Sequence, residues 1–375
     1  MNGSSGLSAA TSGLSTSSLS WLTYVARPFT RYPPSAMKLE RFERFPLAHL
    51  PTPVEPLRRL SAHLGGPEIW IKRDDCTGLA GGGNKTRKLE YLLSDALAQG
   101  ADTLVTIGGI QSNHTRQTAA AAARAGLRSV LVLERWVNWP DENYERVGNI
   151  LLSRILGAHI EIAPGSVASA SANLANAAER VRSQGGVPYV IPSGASDHPL
   201  GGLGYMRCAL EILQQSEENG LPFSAVVHAT SSGSTQAGLV VGFAALGATC
   251  RVIGIDVDAD AGNTRSTVLR IARSTAALVD ARREISDEDV QIAADYAGDS
   301  YGLPSPQTIE AIRLMGRLEG VLLDPVYEGK AMAGLIDMIR HQQFASSDRI
   351  LFLHLGGTPA LHAYADLFAP RPSTA

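Results

Sequence analysis

Short apolar runs, each closed by small or polar residues and followed by a stretch of helical period, recur along this chain and fix its class of fold. The runs are Glu68 to Lys72, Thr103 to Ile107, Ser129 to Glu134, Tyr189 to Ile191, Ala225 to Ala229, Arg251 to Val257 and Ile350 to His354. Helix-like stretches lie between them. One is Ala-rich, Asn113 to Ala125, and is stopped by Gly126; another passes through Leu151, Leu152 and Ile155 and stops at Gly157; others are Leu203 to Gln214, Ser234 to Gly247 and Lys330 to Arg340. Apolar strands alternating with helices predict an α/β architecture of open, mainly parallel sheets covered on both faces. At 375 residues, 44% of them hydrophobic, the chain is long enough for two such domains.

In folds of this kind ligands collect beyond the carboxyl ends of the strands, where loops run into helix N-termini. Three loops have that character. The first, Gly81-Gly82-Gly83-Asn84-Lys85-Thr86, follows the Glu68 strand and opens a helix near Thr86. Its glycines reach backbone angles closed to other residues and let the chain approach a ligand closely. Lys85 stands at the mouth of that turn, where a solvent-exposed loop lysine is the plain alternative. A phosphate loop of the Walker type requires Gly directly before Lys-Thr, and Asn84 intervenes. The second loop is Gly108-Gly109-Ile110-Gln111-Ser112-Asn113-His114-Thr115, whose small polar residues at a helix start suit a carboxylate. The third, Ser231-Ser232-Gly233-Ser234-Thr235-Gln236, suits a phosphate: small residues expose successive N–H groups and the helix dipole adds positive potential. An N-cap with a small-residue turn is the simpler use of such a stretch, but this run is longer than a cap needs. A phosphate site, a carboxylate site and a lysine on a glycine turn together point to pyridoxal phosphate, with Lys85 bonded to its aldehyde. A phosphate-binding module without chemistry leaves Lys85 and Ser112 unexplained.

Composition narrows the partners. Lys and Arg total 33 against 36 Asp and Glu, so a formal net charge of -3 gives no reason to expect nucleic acid or an anionic membrane, and no apolar run approaches the ~20 residues of a membrane helix. Small molecules are the expected ligands. The cysteines, Cys76, Cys208 and Cys250, are odd in number and widely spaced, which fits a reducing compartment and no metal pair. Asp74 and Asp75 beside Cys76 disfavour a reactive thiolate there. Residues 1–36 are rich in Ser, Gly and Thr, carry Arg27 and Arg31, and hold no acidic residue before Glu40. They read as a flexible extension or a mitochondrial transit segment, with Met37 as an alternative start; without a targeting role the protein is expected in the cytoplasm.

The motifs then resemble a known family. Arg73-Asp74-Asp75-Cys76, Gly82 to Tyr91, Ile107 to Asn113, Gly233 to Gly238, Tyr301-Gly302-Leu303-Pro304, Asp324 to Lys330 and His354-Leu355-Gly356-Gly357 are similar to the 1-aminocyclopropane-1-carboxylate deaminase and D-cysteine desulfhydrase family, pyridoxal-phosphate enzymes of the tryptophan-synthase-β fold type. The resemblance spans residues 38–368. It implies a larger cofactor-binding domain from 37–87 and 196–369, a smaller inserted domain from 88–195, a tail at 370–375 and the cofactor in the cleft between the two domains. By the same resemblance Lys85 bonds the cofactor, Asn84 its ring hydroxyl, and Ser231, Ser232, Gly233, Ser234 and Thr235 its phosphate. Ser112, Asn113 and His114 surround the substrate carboxylate, while Tyr301 and Tyr327 face the substrate. Glu328 and Leu355 follow the deaminase pattern; the desulfhydrase pattern carries small hydroxyl residues at both places. A carboxylate at Glu328 near the pyridine nitrogen would keep that ring protonated and strongly electron-withdrawing. Two positions depart from the deaminase pattern: His114, where Gln is usual, and Ala195, where Cys is usual. His114 is expected either to be a second anion donor with a pH-dependent charge or to be a helix N-terminal residue only. The expected reaction is opening of the cyclopropane ring to 2-oxobutanoate and ammonia, with D-cysteine desulfhydration to pyruvate, sulfide and ammonia as the alternative enzyme. A cofactor-binding protein without catalysis is the alternative of another class. A homodimer or higher homo-oligomer is expected by resemblance.

Overall fold

The computed structural model describes Met1, Tyr32, residues 37–163 and residues 169–368. The chain divides into two units, Met1–Arg31 and Tyr32–Ala375, and every described helix and strand belongs to the second. The extension expected at 1–36 lies outside the described residues apart from Met1 and Tyr32, as does the tail at 370–375.

In chain order the first half runs β1 (Val54–Pro56), α1 (Arg58–Leu64), β2 (Glu68–Arg73), α2 (Lys85–Ala98), β3 (Thr103–Gly109), α3 (Asn113–Ala125), β4 (Arg128–Glu134), α4 (Asn149–Ile155), β5 (His159–Ala163), α5 (Ala170–Ser183) and β6 (Pro188–Ile191). It continues α6 (Leu203–Asn219), β7 (Ala225–Thr230), α7 (Ser234–Ala245), β8 (Arg251–Asp256), α8 (Ala261–Leu278), β9 (Gln291–Ala293), α9 (Pro306–Glu319), α10 (Glu328–Arg340), β10 (Arg349–His354) and α11 (Thr358–Leu361). Two sheets result. The six-stranded one has the order β1-β2-β10-β7-β8-β9 and is parallel except for the β1 edge; the four-stranded one, β5-β4-β3-β6, is parallel throughout. The α/β architecture with two mainly parallel sheets is thus as the sequence pattern required.

Both sheets are covered on both faces, and strand alternation decides which residue meets which helix. In the large sheet Val226, Leu351 and Leu353 pack with α6, α7 and α8, while Ala225, Val227, Ile350 and Phe352 pack with α1, α9 and α10. In the small sheet Val105, Ile107, Val130 and Val132 meet α5, and Leu104 and Ile191 meet α2 and α3. Every residue of β3 and β7 is buried, which is why those two strands read as continuous apolar runs.

A buried ionic cluster fixes α2, the helix that begins at Lys85. Arg87 donates to Asp74 Oδ2 and Oδ1 at 2.8 Å each, to Glu211 Oε2 and Oε1 at 2.9 Å each, and to Thr52 Oγ1 at 3.1 Å. Lys72 Nζ donates to the same Glu211 at 2.7 Å, and Tyr205 donates to Asp74 at 2.6 Å. Charges buried this deeply require partners, and here two cations face two carboxylates.

Candidate active site

Parallel pairing puts the first and third loops on a shared edge of the large sheet. His354 is in register with Arg73, and Thr230 with Asp256, so the segments after β2, β10, β7 and β8 leave the large sheet at the same end. Asn84 ties three of those segments together. Its N–H donates to Leu355 O at 2.8 Å and its Nδ2 to Thr235 Oγ1 at 3.2 Å. The glycine turn is tight at Gly83, where φ is +128°, and a Cβ on Gly356 would lie 2.8 Å from Gly83 Cα. No side chain larger than hydrogen fits at that crossing.

Lys85 is the first residue of α2 and is half-buried. No hydrogen bond or ion pair reaches its Nζ among the described residues. Burial lowers its pKa to about 8, against the opposing pull of the Glu328 charge. Roughly a tenth of this amine is therefore unprotonated near neutral pH, far more than of an ordinary lysine, and the free amine is the state that attacks a carbonyl.

The segment Ser231 to Thr235 leads into α7, whose N-cap is Gly233 at φ +92°. Ser196 Oγ bonds Ser232 Oγ at 2.7 Å and Ser234 Oγ at 2.9 Å, so a third hydroxyl joins the two expected there. Lys88 lies one turn beyond Lys85 and is fully buried, its Nζ donating to Gly194 O at 3.3 Å, the residue whose Cβ position lies 2.4 Å from Ser232 Oγ. Burial first, and then the nearby Lys85 charge, push its pKa well below the ordinary lysine value. Sequence reasoning missed Lys88 and Ser196. The spacing of three between Lys85 and Lys88, which puts both on one helix face, was the available signal.

Across the site Ser112 is the N-cap of α3: its Oγ accepts from Thr115 N at 3.2 Å, leaving its own proton to donate. Asn113 Oδ1 is taken by Asn149 Nδ2 at 3.0 Å, while the first-turn N–H groups lie at the positive end of the helix. His114 is different. Thr106 Oγ1 donates to Ile191 O at 2.7 Å and lies 2.7 Å from His114 Nε2, so the ring nitrogen is the donor and Nδ1 is left bare and without a partner. Burial, helped by the Lys85 and Lys88 charges, pushes the imidazole pKa well below its ordinary value. The ring is thus bonded into the sheet through Thr106, and its burial disfavours a charge there. Arg116, also on α3 and fully buried, ties this side to the first loop, with Nε on Asn149 Oδ1 at 2.7 Å, NH2 on Gly82 O at 3.1 Å and NH1 on Ala80 O.

Tyr301 and Tyr327 meet hydroxyl to hydroxyl, their rings edge to face with centroids 5.8 Å apart, and Trp136 stands edge-on to Tyr301 at 6.4 Å. Enclosure holds both phenols above their ordinary pKa, so both keep their protons. Glu328 starts α10 and is buried; burial raises its carboxyl pKa to about 7, the lowering by His354 being smaller. Leu355 is buried beside it on the segment after β10. Asp258, beyond the end of β8, has its pKa raised to about 6 by burial against a hydrogen bond from Ser231, and was not foreseen either. Cys76 is at the surface, its thiol held above the ordinary value by desolvation and then by Asp75, in line with an inert side chain.

A family model described as "Pyridoxal-phosphate dependent enzyme" matches residues 46–356. The chain belongs to that family. Among curated relatives of this pyridoxal-phosphate enzyme, a "1-aminocyclopropane-1-carboxylate deaminase" of Burkholderia vietnamiensis is 57% identical over 335 residues, 88% of this chain and 99% of that one. Another of the same description, from Burkholderia ambifaria, is 56% identical over the same shares. A crystal structure of an "ACC deaminase homologue" superposes with a TM-score of 0.80 at 37% identity, covering 89% of this chain and 98% of that chain. A pyridoxal 5'-phosphate-dependent aspartate racemase, at 17% identity and a TM-score of 0.58, shares the fold alone. No helix among the described residues is long and apolar enough to cross a membrane.

Proposed function

We propose that this pyridoxal-phosphate enzyme is a 1-aminocyclopropane-1-carboxylate deaminase, converting that substrate and water to 2-oxobutanoate and ammonia. The observation that carries the reading is Lys85, an amine with lowered pKa and no partner among the described residues, at the meeting point of a hydroxyl-lined helix N-terminus and a second helix N-terminus. The residues suit the cofactor. Ser232, Ser234, Thr235 and Ser196 hydroxyls, the start of α7 and the Lys88 amine, which has no carboxylate partner among the described residues, make a donor set for a phosphate. We assign the ring hydroxyl to Asn84. When bound, pyridoxal phosphate supplies an aldehyde that amines condense with and a ring that withdraws electrons.

The chain's own groups do the rest. Ser112 Oγ and the Asn113 and His114 N–H groups hold the substrate carboxylate, with the His114 ring confined to supporting the loop. Lys85 Nζ, once released, accepts and returns protons near the α-carbon, for which a pKa near 8 is well placed. Tyr327, hydrogen-bonded to Tyr301, keeps its proton and so acts as the acid toward the opening ring. We place Glu328, with Leu355 beside it, toward the cofactor ring. Around these groups we propose a larger domain of 37–87 and 196–369 built on the six-stranded sheet, and a smaller one of 88–195 that contains all of β3 to β6. A homo-oligomer is proposed from resemblance, and a cytoplasmic location unless residues 1–36 act as a mitochondrial transit segment.

Lys85→Ala tests the assignment. Turnover of the cyclopropane substrate and the visible absorbance of the bound cofactor should both vanish, and 2-oxobutanoate formation by that variant would exclude the role. Sulfide from D-cysteine, measured beside 2-oxobutanoate, separates the two family chemistries.

A further inference from the structure

Glu328 Oε2 is buried without a hydrogen bond, and His354 Nδ1 faces it at 3.5 Å. Both side chains are 1% exposed. The imidazole is held at its other end: Nε2 lies 3.2 Å from Leu322 O and 3.9 Å from Asp75 Oδ2, so it carries a proton toward those oxygens. Nδ1 also receives the Gly356 N–H at 3.3 Å.

These contacts leave one proton to be placed. If Nδ1 is bare, as the Gly356 contact favours, an ionised Glu328 oxygen would face a lone pair at 3.5 Å inside the protein, and the oxygen must carry the proton instead. If Glu328 is ionised, the proton belongs on Nδ1, and the resulting imidazolium is stabilised by Asp75 behind it. Asp75 is in turn fixed by Arg73 through bonds of 2.9 and 2.7 Å. We propose that Glu328 and His354 hold a single proton in common, and that His354, backed by Asp75, is the positioning residue that decides whether Glu328 is ionised. The transfer moves one proton between Nδ1 and Oε2 and changes no other covalent bond; the Gly356 N–H contact to Nδ1 is given up when Nδ1 is protonated.

The electrostatics agree with the geometry. Burial raises Glu328 to about 7 and opposes charge on His354, yet the facing Glu328 carboxyl and the Asp75 charge bring the imidazole above its ordinary value. Two groups with overlapping titration ranges share a proton as a unit. The other charges facing the pair are Lys85 from α2, Asp324 from the turn before α10, and Arg73 from the end of β2. The catalytic consequence, a controlled charge on Glu328 toward the cofactor ring, rests on the function proposed above; the shared proton does not.

The test begins with the apo protein labelled with 15N-histidine. In the wild type one histidine should titrate above 6.5, and in Glu328→Gln its midpoint should fall below 6.5, because burial is then met by Asp75 alone. Asp75→Asn should lower it too. A spectrum in which no histidine midpoint moves on Glu328→Gln overturns the proposal, and this needs no assignment and no cofactor. In the loaded enzyme His354→Gln should lower kcat about tenfold near pH 7, with KM little changed, and recover as pH rises and Glu328 ionises unaided. A loss equal at every pH would mark a purely structural role and refute the positioning. If the midpoint moves but no 2-oxobutanoate forms, the shared proton stands and the deaminase reading falls.

Discussion

Arg87→Met exposes how much the buried cluster under α2 contributes to stability. Lys72 and Arg87 face Asp74 and Glu211, and Arg87 supplies five of the hydrogen bonds. Methionine fills much of the volume but leaves Asp74, fully buried, and Glu211, 11% exposed at its side chain, with only Lys72 to neutralise them. Removing one partner of a buried ion pair costs about 3–5 kcal/mol, mostly from the charge left behind. Arg87→Lys keeps the charge and loses the fork, so a smaller loss of about 1–3 kcal/mol is expected. Urea unfolding of the apo protein, followed by circular dichroism, measures both. The pH dependence identifies the cause. Arg87 and Lys72 depress the Glu211 pKa below its ordinary 4.5 despite burial, so its contribution is present above that value and drains as pH falls below it. In the variant the orphaned carboxylate protonates more readily, and the gap between variant and wild type should narrow as pH drops from 7 toward 4. A loss under about 1 kcal/mol, or a gap that widens in acid, would refute the reasoning.

The site itself carries further expectations. Amine-directed labelling of Lys85 in the apo protein should rise through pH 8, since burial makes its free amine available well below the range of an ordinary lysine; a rise only above pH 10 would contradict the lowered pKa. Lys88→Met should weaken pyridoxal phosphate binding about tenfold or more while leaving the weaker affinity for unphosphorylated pyridoxal nearly unchanged, measured by absorbance titration of the apo protein. Glu328→Ser combined with Leu355→Thr should lose 2-oxobutanoate formation and gain sulfide release from D-cysteine; full deaminase activity in the double variant would remove Glu328 from the proposed role.

The fold was legible wherever burial on both faces wrote a strand as an unbroken apolar run. β3, β7 and β10 fall in that class, and their sequence boundaries lie close to those of the structure. The strands that escaped notice all lie at sheet edges, although the edge strand β6 was legible at Tyr189 to Ile191. β5 is an edge strand with exposed and half-buried positions, β9 is a three-residue edge, and β1 is a three-residue antiparallel edge ending in Pro56. Helices α5, α8 and α9 were passed over although each buries one stripe and is polar elsewhere, the pattern of a surface helix and a clearer helical period than that of the wholly buried start of α7.

The site divides along a different line. Lys85, Asn84 and the segment Ser231 to Thr235 could be found because main-chain requirements, glycine turns and helix starts, are written in consecutive residues. Lys88, Ser196, Asp258 and His354 matter through partners far away in sequence: Gly194, Ser232, Ser231 and Glu328. His114 shows the converse. Beside Ser112 in sequence it looked like part of the anion site, yet the second position of a helix can turn its side chain back to the sheet while its N–H still faces the ligand. The bond to Thr106, itself committed to Ile191, fixes that choice. A residue's main chain and side chain can thus serve different tasks, the N–H open to a substrate anion and the ring holding the loop, and only the three-dimensional hydrogen-bond pattern separates them.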